Sequence, residues 1–447
     1  MYRKALLGET NELALKYISS MEEDREIVGE VIECLIAHVK GLLHSELIPP
    51  DKGELILMEL LELKKNPEPL FSIEAEDIHE AVEIYLKKKI GGDEGYLPLG
   101  KSRNDHVACA LRLKTKKILK EQIKEVLSLR KVLIEKAKEN LQTLMPSFTH
   151  LQPAQPSTFA HYLCSIVETL EMYTDMLFFA LKVVDKSPLG AGAIGGTTVP
   201  LDREYIGKLL FSSVVENSIY ATSSRDFLAV ACSADVLLSI SLSRVAEDLI
   251  IFSTPNFNYI QLPREHLATS SMMPQKKNPV TMEVARAWGG EALGHFVALM
   301  TILKGLPTGY NLDMQEANKH ALKILQGTLE TLRIFKNAFE GIKINPENMI
   351  RDSKVFPILA TDIAEKIALA TGKPYRDVYV EIASIIRDSE SVEEFYSRIS
   401  KKYGIDVSLE EGILKPVLGS PDPEQVKNFL WRAEKKLEED SRKLKEI

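Results

Sequence analysis

The sequence predicts a mainly α protein built around a bundle of unusually long helices. Three observations carry this. From His106 to Met145 there is no Gly or Pro, and Leu119, Ile123, Val126, Leu133 and Ala137 recur at helical spacing with Lys and Glu between them. At a rise of about 1.5 Å per residue such a stretch makes a rod of roughly 60 Å, longer than the helices of an ordinary compact domain. Further long helical patterns follow at Ser157–Val184, Asp226–Ser253 and Thr281–Leu303, while strand signals are sparse.

Taken in order, the first region runs to about Asp105. Amphipathic stretches from Asn11 to Leu63 break at Pro49–Pro50, and the Glu76–Lys88 stretch ends at Gly91–Gly92. An irregular loop through Pro98, Gly100 and Ser102–Asp105 leads into the long helices. These are separated by loops rich in Gly, Pro, Ser and Thr at Thr149–Pro156, Ser187–Pro200 and Ala268–Pro279, and Pro146 is expected to end the first of them. A third region from about Arg351 has shorter helices, punctuated by Gly372, Pro374, Gly404, Gly412, Pro416 and Gly419. It closes on Pro423–Ile447, whose stripe of Val426, Leu430, Ala433 and Leu437 is helical. Three domains are therefore expected, over residues 1–105, 106–350 and 351–447.

The net charge of −8 gives no whole-molecule attraction to nucleic acid or an anionic membrane, so neither is expected as a partner. The four cysteines, Cys34, Cys109, Cys164 and Cys232, form no C-x-x-C pair, which suits a reducing compartment and argues against a thiolate zinc site. No two of the nine histidines stand at i, i+4, and no glycine fingerprint for nucleotides is present, so neither metal nor cofactor is expected. The opening residues lack an apolar core of leader length. Phe227–Phe252 comes nearest to a membrane span, but Asp235, Arg244, Glu247 and Asp248 interrupt it, and it reads as a helix buried in a bundle. A cytoplasmic protein is expected.

Chemistry concentrates in the loops. Thr269–Pro279 (TSSMMPQKKNP) places three hydroxyls, two cations and two amides between long helices, which offers donors and positive charge to a carboxylate. A capping serine would explain Ser-Ser alone, but a plain turn has no need of the whole string. Phe148–Pro156 (FTHLQPAQP) holds His150 beside Thr149 and two amides, a setting for general acid/base work, although a lone histidine is more often structural. Gly100–Asp105 (GKSRND) offers an Arg fork, an amide and the start of a long helix to an anion, with Asn104 or Asp105 as the candidate cap of that helix. Together these point to an enzyme acting on a small polyanion.

The string SSMMPQKKNP resembles the S-S-x-M-P-x-K-x-N signature of the fumarase/aspartase superfamily, and THLQPAQP and TSSRDF (Thr222–Phe227) agree in order. Within it, EDIH (Glu76–His79), SRND, LGAGAIGGTTVPLDRE, KGLPTGYNLDMQE, ATDIAE and GKPYRD resemble the argininosuccinate lyase branch, over nearly the whole chain. The resemblance implies a three-domain helical lyase, a homotetramer with a twenty-helix core and active sites shared between three subunits. The implied reaction is a reversible anti elimination that splits argininosuccinate into arginine and fumarate. Carried over by position, Ser270 is the base. Lys276 and Asn278 bind the carboxylate whose charge grows, and His150 with Glu283 forms the general-acid pair. Ser102, Arg103, Asn104, Thr149, Tyr310, Gln315 and Arg225 match substrate-contacting positions. Without the resemblance, Tyr310 would read as a core aromatic and Gln315 as a solvated polar residue.

Departures fall around that set. Thr269 stands where the family has Gly, which stiffens the loop, and Val280 stands where an acid is common. Asn318 replaces a substrate-holding Lys, with Lys319 one place later. Leu35 replaces a Ser, and an N-terminal W-G-G-R-F is missing. These bear on substrate choice more than on reaction type. The alternatives are another lyase of the superfamily, acting on adenylosuccinate or aspartate, or a non-catalytic relative of the crystallin kind.

Overall fold

The computed structural model describes Gly8 and residues 11–447. The opening residues, in which no leader is expected and W-G-G-R-F is missing, lie largely outside the described ones. Helices α1 (Glu12–Ile18), α2 (Val28–His44), α3 (Pro50–Lys65) and α4 (Ile78–Ile90) precede α5 (Arg103–Glu139). Strands β1 (Leu144–Thr149) and β2 (Gln152–Thr158) lead to α6 (Phe159–Val184), β3 (Lys186–Ser187), α7 (Arg203–Lys208), β4 (Ser213–Val214) and α8 (Ser218–Ser223). Then come α9 (Asp226–Ser253), β5 (Ile260–Gln261), β6 (Ala268–Thr269), β7 (Lys277–Asn278), α10 (Val280–Leu303), α11 (Asp313–Gly341) and β8 (Lys343–Ile344). The chain closes with α12 (Pro346–Val355), α13 (Ala360–Thr371), α14 (Tyr375–Arg387), α15 (Val392–Tyr403), α16 (Leu409–Gly412) and α17 (Pro423–Glu446). The mainly α expectation holds, and among the described residues the few strands pair only as two-stranded ladders.

The long helix ends earlier than Pro146 requires. Asn140 Nδ2 donates to the Lys136 carbonyl at 2.8 Å, and Asn140 Oδ1 accepts from Thr143 Oγ1 at 2.9 Å, so an orphan carbonyl is satisfied and the chain turns out of the helix. Leu144–Thr149 then pairs antiparallel with Gln152–Thr158, where the sequence reading has a loop. Prolines lack ladder donors. Here Pro146 faces Pro156 beside a bulge, and Ser147 Oγ supplies the missing bonds by donating to the Gln155 carbonyl (2.8 Å) and accepting its N–H (3.2 Å).

The chain divides into two compact units. One holds Met1–Gln122, Met176–Leu237 and Gly290–Leu329; the other holds Ile123–Asp175, Leu238–Gly289 and Glu330–Ile447. In the first, Asp235 of α9 is fully buried and accepts from Gln122 Nε2 at 2.7 Å, and that amide also donates to the Leu325 carbonyl at 2.8 Å. Burial keeps the Asp235 carboxyl well above its ordinary range. α9 is long and apolar enough to cross a membrane, yet this acid packs against protein. In the second, the fully buried Arg130 donates to Asp440 Oδ2 (2.7 Å), Glu171 Oε1 (3.3 Å) and Thr174 Oγ1 (3.3 Å). The shorter helices of the second unit have a core of their own, in which Ile363, Ile367, Val378, Ile382, Phe395 and Ile399 pack together.

Candidate active site

Ser102, Arg103, Asn104, Arg225, Tyr310 and Gln315 belong to the first unit; Thr149, His150, Ser270, Lys276, Asn278 and Glu283 belong to the second.

In the first unit the start of α5 is built as a reciprocal cap, and the cap is Ser102 rather than Asn104 or Asp105. Ser102 Oγ accepts from the Asn104 N–H at 3.2 Å, while Asp105 Oδ1 reaches back to the Ser102 N–H at 3.0 Å. The other oxygen of Asp105 accepts from the N–H groups of Gly190 and Gly192, each at 3.1 Å. Both glycines have positive φ, 78° and 62°, and a Cβ on Gly192 would lie 2.5 Å from the Gly196 carbonyl oxygen, so this loop needs glycine to bend onto the carboxylate. Burial lifts the Asp105 carboxyl to about 7 despite three N–H donors. Asn104 Nδ2 donates to the Ala193 carbonyl in the same loop at 3.1 Å.

Arg103 meets the EDIH segment: its Nη1 donates to Asp77 Oδ2 at 2.5 Å and to Glu76 Oε1 at 3.2 Å. Partial burial disfavours its charge, but Asp77, Tyr310 and Glu76 together outweigh this and hold the guanidinium above its ordinary value. A pocket here is lined by Ser20, Asp24, Asp77, His79, Arg103 and Tyr310. Its wall on α11 carries Gln315, Asn318 and Lys319. Gln315 Nε2 donates to the Ile18 carbonyl at 3.0 Å. Lys319, next to the position where Asn replaces Lys, is at the same pocket and pairs with Glu23 and Glu316, each at 3.0 Å. Arg225 is buried, with its guanidinium 6.0 Å from the Tyr310 ring centre, and burial lowers it to about 10. Leu35 is a fully buried core residue.

Sequence reasoning missed Ser20, Asp24, His79 and Lys319 as lining residues. Asp24 accepts from Ser20 Oγ (2.9 Å) and from the Ile78 N–H (3.0 Å), and burial raises it to about 6. Neither ring nitrogen of the buried His79 has a hydrogen-bond partner among the described residues. EDIH was the available signal for His79; for Asp24, in a run of acids, there was none.

In the second unit His150 and Leu151 are the two central residues of a hairpin turn closed by Thr149 and Gln152. Both have positive φ, 55° and 58°, the conformation of a type I′ turn that Asn and Gly normally fill. Two such non-glycine residues cost about 1–2 kcal/mol each, a strain found at functional sites. The signature loop is a second hairpin. Ala268 pairs with Asn278 and Thr269 with Lys277, so the Gly-to-Thr departure places a β-branched residue in a ladder. Between these strands the loop is exposed at Ser271–Lys276, and Met272 projects 87% exposed. Ser270 Oγ accepts from the N–H groups of Met272 (3.2 Å) and Met273 (3.0 Å). Glu283 lies in the first turn of α10.

The family model described as "Lyase" matches residues 6–294. The chain is 67% identical to the argininosuccinate lyase of Pyrococcus furiosus, over all of this chain and 97% of that protein. It is 41% identical to that of Sulfolobus acidocaldarius, over all of this chain and 95% of that one. Among solved structures, EDDS lyase in complex with formate is similar at 25% identity and TM-score 0.81, covering 94% of this chain and 88% of that one. The class II fumarase of Schistosoma mansoni shares the fold at TM-score 0.74 and 16% identity, covering 86% of this chain and 90% of that chain. The chain belongs to the lyase family, in its argininosuccinate lyase branch.

Proposed function

We propose that the chain catalyses the reversible anti elimination of argininosuccinate to arginine and fumarate, with Ser270 as base and no cofactor. The observation that carries the base assignment is the pair of backbone N–H groups aimed at Ser270 Oγ. A serine is a poor base in water, and two fixed donors favour its alkoxide. Proton removal next to a carboxylate places growing charge on that carboxylate; Lys276 and Asn278, at the end of the same loop, neutralise it. His150, held at a turn tip, with Glu283 as its partner, returns a proton to the leaving nitrogen. Ser102, Arg103, Asn104, Thr149, Tyr310, Gln315 and Arg225 hold the substrate.

The complete site is proposed to form in a cytoplasmic homotetramer, each site taking loops from three subunits. Support comes from α10, on which Leu293, Val297 and Met300 share one side and are exposed at 44%, 57% and 41%. An apolar face of that kind on one helix favours burial against a further copy.

Fumarate release by the purified protein from argininosuccinate, adenylosuccinate and aspartate, each supplied alone, tests the reading. Release from argininosuccinate alone is expected. Ser270→Ala and His150→Asn are each expected to lower turnover by about 10²–10⁴-fold with the fold retained. Near-normal turnover of either variant overturns that residue's role.

A further inference from the structure

Near the start of α5 lies an arrangement that the proposed reaction does not use. Cys34 on α2 and Cys109 on α5 are both fully buried, and their Sγ atoms are 2.8 Å apart. Carbon atoms, which are smaller than sulfur, rest in contact at about 3.5–4 Å. Two unbonded sulfurs at this separation are therefore pressed well inside their own contact distance, about half of the way to the ~2.05 Å of a disulfide. One turn along the same helices, the rings of His38 and His106 meet edge to face with centres 5.2 Å apart. Both are fully buried, so the two helices are packed together beside the sulfur pair and have little room to part. Cys232, by contrast, directs its Sγ to the Ala321 carbonyl at 3.7 Å.

We propose that Cys34 and Cys109 form a disulfide bond that ties α2 to α5. The two thiols give up two protons and two electrons as the Sγ–Sγ bond forms. A small-molecule disulfide such as oxidised glutathione accepts them, its own S–S bond breaking to leave two thiols. Burial holds the Cys34 thiol well above its ordinary range, so the exchange proceeds while the helices are assembling or transiently open rather than in the closed state. The same burial then shields the bond from attacking thiolates, so one internal disulfide is compatible with a reducing compartment. The bond would join residues 75 positions apart and remove conformational freedom from the unfolded chain.

The test uses the full chain refolded with oxidised glutathione, then unfolded and alkylated with iodoacetamide without reductant, and weighed. Two adducts are expected, on Cys164 and Cys232, rising to four after reduction, with a peptide map joining the Cys34 and Cys109 peptides. Reductant is expected to lower the thermal midpoint by several degrees, and C34S and C109S to abolish both the cross-link and that response. Four adducts after oxidative refolding, glutathione carried on Cys34 or Cys109 in place of the link, or a link through Cys164 or Cys232 would each overturn the proposal.

Discussion

Asp24 and Asp105 show how burial sets the charge of single residues near the pocket. Each has a folded pKa raised above its ordinary value, to about 6 and about 7. For such an acid the folded state holds the proton more tightly than the unfolded chain does. Its contribution to stability is complete below the unfolded value and is lost as pH rises through the folded one. Asp24→Asn, which keeps an oxygen for the Ile78 N–H, removes this dependence. The fall in denaturant midpoint between pH 4 and pH 6.5 is expected to be smaller in D24N than in the wild type. An equal fall in both would show that Asp24 is ionised in the folded protein across this range.

Among elements, the hairpin carrying His150 was the hardest to read. Pro146, Pro153 and Pro156 deny the ladder its donors, so the segment looks like a loop until Ser147 is seen to replace them. The long helices were legible because their periodicity is local. The Asn140 stop was missed because a single Asn with no Gly or Pro beside it is a weak end signal. Positive φ at Leu151 has no sequence signal, and at His150 the only one is the modest enrichment of histidine in that region. Leu151, 68% exposed, invites a direct measurement. Leu151→Asn, whose side chain tolerates this conformation, is expected to stabilise the second unit by about 1 kcal/mol, read as a higher denaturant midpoint. A lower midpoint would mean that the leucine is held by apolar contacts in the assembled protein.

For the whole molecule, the proposed residues sort into two units of one chain, Arg103, Tyr310 and Gln315 in one and His150 and Ser270 in the other. The pocket in the first unit was only partly legible, because Ser20, Asp24 and Lys319 reach it through packing of segments distant in sequence. Sedimentation is expected to give four times the 50.1 kDa of the chain. A fully active monomer would contradict sharing of sites between subunits.

The strained turn has a consequence for how this sequence would drift under laboratory selection. A library screened only for heat resistance gains by replacing residues whose backbone conformation is costly. Positions 150 and 151 offer such gains side by side, and at the first of them relaxation discards the proposed proton donor. Selection blind to turnover would thus tend to yield sturdier, idle proteins, with Asn or Gly at the tip of that hairpin as their mark.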